Sequence, residues 1–171
     1  MKPITYEQFK ALFRSRRRAW HLELRDVYRV ESEDIPFEKW LNGEHDSFEW
    51  LQDWLDHMRA VTGDGVSVER LRIVTEPHTD YVRWEMSFSH RNIEAGEQIR
   101  YLPRSEVVDM RFPPEDCWLF DDDTLVLSLF KPDGRSAGFA VEDDQSLIAQ
   151  YQSVRDSTWS QGISHASYAV Q

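Results

Sequence analysis

A single cysteine in 171 residues, Cys117, cannot form an internal disulfide, and that suits a reducing compartment. No apolar run approaches the roughly 18 residues that a membrane span needs. The opening MKPITYEQFK carries no apolar leader. The expectation is a cytoplasmic protein with no membrane partner. Glycine is scarce as well. None of the seven falls in G-x-G-x-x-G or G-x-x-x-x-G-K-[ST], the spacings that bring backbone N–H groups up to a phosphate. The nucleophile elbow G-x-S-x-G is missing, the calcium-loop spacing is missing, and no Cys or His pair has zinc spacing. No cofactor is expected. Lysine is also rare, four against sixteen Arg, and 31 acids over 20 bases give a net charge of −11. Such a surface repels phosphate backbones, which argues against direct nucleic-acid binding and leaves basic proteins and cationic ligands open.

What the chain does have is aromatic bulk. Seven Trp, nine Phe and six Tyr can fill a core without disulfides, and the length suits one domain over 1–171. Capping residues and apolar spacing predict a helix from Thr5 to about Ser15, with Phe9, Leu12 and Phe13 on one face. "AWHLELRDVYRV" alternates Trp20, Leu22 and Leu24 with His21, Glu23 and Arg25, the period of a half-buried strand. "SFEWLQDWLDHMRAV" then reads as an amphipathic helix, capped by Asp46 or Ser47 and stopped by the "GDG" at 63–65. "VSVERLRIV" is a strand. Thr79 or Asp80 opens a helix to Ala95, closed by Gly96, with Tyr81, Trp84, Phe88 and Asn92 inward. The second half supplies short strands in "EQIRYLP", "CWLFDDD", "TLVLSLF" and "SAGFAVE", then a helix beginning near Asp143 or Asp144. The fold class is mixed α/β, a mixed sheet flanked by helices, with 1–64 packed on 65–171.

Asp121, Asp122 and Asp123 invite a metal reading. Consecutive residues of a strand or tight turn splay, however, and Asp favours turns by bonding its own backbone, so they read as a hairpin turn. Cys117, between Asp116 and Trp118, is set to be a poor nucleophile. Of the six His, His21 lies on the polar face of its strand and His78, before a helix start, is the best placed for a ligand. The basic run "RSRRR" at 14–18 reads as a solvated helix end. The strongest constellation is "TEPHTDYVRWE" at 75–85, where a strand end meets a helix start, the position at which α/β sheets bind ligands. Glu76, Tyr81 and Arg83, joined by Arg100 and Arg104 from the next strand end, form the expected ligand rim. The alternative is a metal-dependent hydrolase or nuclease using Glu76, Glu85 and Asp121.

The stretches "LELRDVY", "PFEKWLNGE", "RLRIVTEPHTDYVRWE", "NIEAGEQIRYLPR", "CWLFDDDTLVL" and "VRDSTW" together resemble an actinobacterial family, the domain-of-unknown-function family 6879. Its members look like small cytoplasmic proteins, often encoded beside helix-turn-helix regulators in Streptomyces-like genomes. That context implies a helix-turn-helix partner, with a toxin–antitoxin component as an alternative. The order of elements in the second half also resembles one half of a phospholipase-D-like domain. There the signature H-x-K-x-x-x-x-D supplies a nucleophilic His and a neutralising Lys. Ending that signature on Asp122 puts the pair at Glu115 and Cys117, and ending it on Asp121 puts them at Pro114 and Asp116. Neither register keeps an imidazole or an ammonium, so no catalytic residue is assigned. Members of that superfamily lacking the pair act as ligand-sensing or dimerisation domains. The resemblance therefore implies a non-enzymatic regulatory role, a small-molecule ligand and a homodimer.

Overall fold

The structure is a computed structural model and describes residues 1–169; the last two residues of the expected 1–171 domain lie outside it. Sixteen segments succeed one another: β1 (Lys2–Ile4), α1 (Tyr6–Ala11), β2 (Arg18–Glu23), α2 (Glu31–Leu41), a 3-10 turn at Glu49–Leu51, α3 (Gln52–Gly63), β3 (Ser67–Val74), α4 (Asp80–Glu94), β4 (Glu97–Pro103), a 3-10 turn at Arg104–Val107, β5 (Asp116–Phe120), β6 (Thr124–Phe130), β7 (Ser136–Glu142), α5 (Gln145–Thr158), β8 (Ile163–Ser164) and α6 (His165–Tyr168). The strands form one mixed sheet in the order β1-β7-β6-β5-β2-β3-β4-β8. β2, β3 and β4 run parallel, and every other pairing is antiparallel. β2, from the first 64 residues, lies inside the sheet between β5 and β3.

Local chemistry accounts for the helix ends. Thr5 and Gln8 close a reciprocal capping box, Thr79 accepts from Val82 N–H, and the Asp144 carboxylate accepts from Ser146 and Leu147. α1 ends at Ala11, four residues before the expected Ser15, because the chain turns through Ser15 at φ +61°. α3 starts later than the 46–47 cap, since Phe48 is left-handed and a 3-10 turn precedes Gln52. Asp46 still organises that entry by accepting from Phe48 N–H and Trp50 Nε1. Gly96 has φ +107° and faces Thr62 so closely that any Cβ would collide with it.

The two faces of the sheet are both covered. One carries Trp20, Leu22, Leu71, Ile73, Cys117, Leu119, Leu125 and Leu127 against Ile148, Tyr151 and Val154 of α5. This is a mainly aliphatic layer with Trp20 and Tyr151 set into it. The other carries Ala19, Val68, Trp118, Phe120 and Val126 beneath aromatic and aliphatic residues of α1, α3 and α4. Phe13 there is surrounded by edge-on rings, 4.9 Å from Phe120 and 5.3 Å from Trp118. The strand alternation therefore sorts residues between two interiors, and its polar phase is not turned to water.

Asp121, Asp122 and Asp123 form the turn between β5 and β6. Asp121, at φ +50°, accepts from Arg17 and Arg18 N–H at 3.0 Å each, and its own N–H reaches Arg18 O. Asp122 receives Arg155 at 2.6 Å, and Asp123 receives Arg16 at 2.9 Å. Three adjacent carboxylates are thus drawn to different principal partners, with Arg16 also 3.9 Å from Asp121.

Candidate functional site

On the helix-covered face the strand register assembles a row of polar side chains. Ser128 of β6 pairs with Asp116 of β5, and Glu23 of β2 pairs with Arg72 of β3. The neighbouring row brings Trp118, His21 and Arg70 side by side. Helices α1 to α4 arch over these rows and leave a cavity of about 500 Å³, bounded by aromatic side chains above and by this polar floor below. Its size is that of an ordinary small-molecule site. It also lies by the C-terminal ends of parallel β2 and β3, where an α/β sheet presents its loops to ligands.

The floor is an ion-pair network. Arg70 meets Glu23 at 2.7 Å and Glu97 at 3.0 Å, while Arg72 meets Glu23 at 2.6 Å and Glu85 at 2.8 Å. Glu97 is fixed further by Trp54 Nε1 at 2.6 Å and Asn92 at 3.0 Å. The Arg72 contacts are close in distance but off line for hydrogen bonding, so Arg72 Nε and Glu23 Oε2 are buried without a hydrogen-bond partner among the described residues. Burial acts to raise the Glu23 carboxyl, and the Arg72 and Arg70 guanidiniums outweigh it and hold it below its usual range. Glu85 is pushed up, first by burial and then by Glu23 and Glu33, against the pull of Arg72.

Two carboxyls at the cavity wall have no cation within ion-pair distance among the described residues. Asp116 takes a hydrogen bond from Tyr28 OH and another from Leu24 N–H at 3.0 Å. Glu33 receives Tyr81 OH at 2.6 Å. Burial is the main cause that raises each of them to about 7. The two tyrosines stand together, with ring centroids 5.7 Å apart, and Phe130 lies 5.1 Å from Tyr28. His21 stacks on Trp118 at 4.1 Å. Burial lowers its pKa to about 3, opposed by Glu23 and aided by Arg70 and Arg72, so the ring is neutral at ordinary pH. Its Nδ1 has no hydrogen-bond partner among the described residues.

The structure does not bring the expected rim residues together. Tyr81 lines the cavity. Glu76 accepts from Tyr168 OH beside α6. Arg83 is exposed, pairs with Asp80 and donates to His78 O at 2.7 Å. Arg100 faces the other way, donating to Trp159 O at 2.7 Å and lying 4.3 Å from the Trp159 ring. Arg104 ties loop ends together through Leu24 O at 2.6 Å and Ile73 O at 3.1 Å. Glu76, Glu85 and Asp121 of the metal alternative occupy three separate places: the α6 contact, the cavity floor and the β5–β6 turn. His78 is tied to Thr75 O and Tyr168 OH.

Cavity residues absent from the expected set are chiefly Glu23, Arg70, Arg72 and Asp116. One signal for them is present in the chain: two strands whose polar phases carry opposite charge, Glu23 in one and Arg70 with Arg72 in the other. Neutralising partners in matching phase fit strands that lie side by side under cover, since a solvated face has no need of them.

Fold and cavity together define a mixed α/β domain with a cavity on one face of its sheet, open at its rim and floored by buried charge. The chain belongs to the family described as Domain of unknown function (DUF6879), whose model matches residues 7–170. No curated protein matches it.

Proposed function

We propose that this domain is a non-enzymatic ligand-binding module. In this reading its occupancy is sensed by a helix-turn-helix DNA-binding partner, in an actinobacterial cytoplasm, and the module works as a homodimer. The observation that carries the ligand reading is the cavity itself: about 500 Å³ of space whose floor leaves the buried His21 Nδ1 without a hydrogen-bond partner among the described residues. An interior with no ligand to hold would be expected to fill such a space or satisfy that atom.

The finer fold reading is a phospholipase-D-like half-domain. What supports it is the succession β3, α4, β4, a connector, hairpinned β5 and β6, then β7 and α5, the order on which the resemblance rests. A third register, ending the signature on Asp123, puts the catalytic pair at Asp116 and Trp118. These are the two β5 residues that face the cavity. An acid and an indole there offer neither nucleophilic imidazole nor neutralising ammonium, so the reading is of a site kept for binding.

The test is thermal denaturation of the full chain against a library of small metabolites, followed by titration of the hits. A 1:1 ligand that raises Tm, and that Ser128→Phe no longer binds, is the expected result. Turnover of a phosphodiester with Mg²⁺ or Mn²⁺, abolished by Glu85→Gln, would replace this reading with the metal-dependent hydrolase. Light scattering on the same sample checks the dimer: a mass of 20.3 kDa at micromolar concentration contradicts it.

A further inference from the structure

The positive charge lining the cavity is already matched. Arg70 lies between Glu23 and Glu97, and Arg72 between Glu23 and Glu85. His21, the remaining basic group among the described lining residues, is neutral. An anionic ligand would have to compete with the buried Glu23 and Glu97 carboxylates and the Glu85 carboxyl for those guanidiniums. The acidic side is unmatched: Asp116 and Glu33 have hydroxyl or backbone donors and no cation within ion-pair distance among the described residues. Beside them stand the Tyr28 and Tyr81 rings, π-surfaces that attract cations through the ring quadrupole, next to Phe130, whose ring Arg25 already covers at 4.9 Å. The unfilled atom His21 Nδ1 adds acceptor capacity for an N–H donor, in the tautomer that leaves Nδ1 unprotonated.

Building on the cavity as a ligand site, we propose that its ligand is an organic cation, an amine or quaternary ammonium on a flat apolar body, seated between the Tyr28 and Tyr81 rings and the carboxyls of Asp116 and Glu33. Electroneutrality gives the binding step a proton balance. Asp116 faces Tyr28, Glu23 and Arg25, and Glu33 faces Tyr81, Glu23, Arg72 and Arg70. In the empty cavity burial keeps both carboxyls partly protonated near neutrality. The arriving cation stabilises the carboxylate form, and each proton lost passes to solvent.

The experiment uses three probes of one shape and different charge: phenethylamine, 2-phenylethanol and phenylacetate. Each is titrated calorimetrically into the full chain near neutral pH, in two buffers of different ionisation enthalpy. The expected result is phenethylamine binding at least about tenfold tighter than phenylacetate, with buffer-dependent heats that report proton release. Asp116→Asn and Glu33→Gln should each weaken the amine by about tenfold, leaving 2-phenylethanol unchanged. Glu33 is less deeply buried than Asp116, so Glu33→Gln keeps the test available if Asp116→Asn does not fold. Tighter binding of phenylacetate, or amine affinity unchanged in the folded variants, overturns the charge assignment and leaves the cavity a ligand site. If no probe binds and the metabolite library leaves Tm unmoved, the ligand reading falls and this inference falls with it.

Discussion

Glu23 stands opposite Arg72 in the parallel register of β2 and β3, and the same carboxylate meets Arg70 from the adjacent row. One acid thus holds two buried guanidiniums apart and in place. Taking charged groups out of water is costly, and removing one member of such a set strands the others. Glu23→Gln should destabilise the domain by about 3–5 kcal/mol in urea unfolding. The double variant Glu23→Leu/Arg72→Leu should recover part of that loss. A single-variant effect within about 0.5 kcal/mol of zero would mean the network is slack.

Asp116 and Glu33, raised like Glu85 beside them, set a pH dependence. Asp116 rises from 3.8 to about 7 and Glu33 from 4.5 to about 7, burial being the first cause in both. The folded protein keeps these protons while the unfolded chain releases them near pH 4. Their contribution is therefore fully present below about pH 4 and is lost as pH climbs through about 7. Tm should fall between about pH 5 and pH 7.5, and Asp116→Asn should fall less. Parallel curves for wild type and variant would refute the assignment of Asp116.

The aspartate turn has its own signature. Asp121 accepts two backbone N–H groups, whereas Asp123 makes a largely exposed ion pair with Arg16. Asp121→Ala should cost about 1–2 kcal/mol and Asp123→Ala less than about 1 kcal/mol. Added Ca²⁺ or Mg²⁺ should leave wild-type Tm unchanged; a rise that Asp121→Ala removes would restore the metal reading.

At a net charge of −11, the protein alone should not retard free DNA at physiological salt. A tight, salt-sensitive gel shift from the purified chain would contradict the division of labour with a DNA-binding partner.

Much of the architecture was legible because local signals were strong. Thr79, the inward stripe Tyr81, Trp84, Phe88 and Asn92, and Gly96 fix α4, and Asp144 caps α5. α2 escaped notice because Val30 makes no side-chain cap and Pro36 interrupts its pattern. The site was the least legible part. Period-two alternation shows that His21 and Glu23 share one face of β2, yet it is silent on whether that face meets water or helices. Here it meets helices, so residues that look solvated line a chamber. The 75–85 stretch drew attention by its place between strand and helix, but Glu76 and Arg83 point outward from that junction, and Tyr81 alone of the three reaches the cavity.

The most direct test is the ¹H–¹⁵N spectrum of the seven tryptophan indoles as a ligand is added. Trp50, Trp54 and Trp118 line the cavity, while Trp20 and Trp159 pack on the opposite face of the sheet. The account predicts that phenethylamine, or a hit from the metabolite library, shifts the first three and leaves the last two in place. Shifts confined to Trp20 and Trp159, or no shift at any indole with every compound, would contradict it.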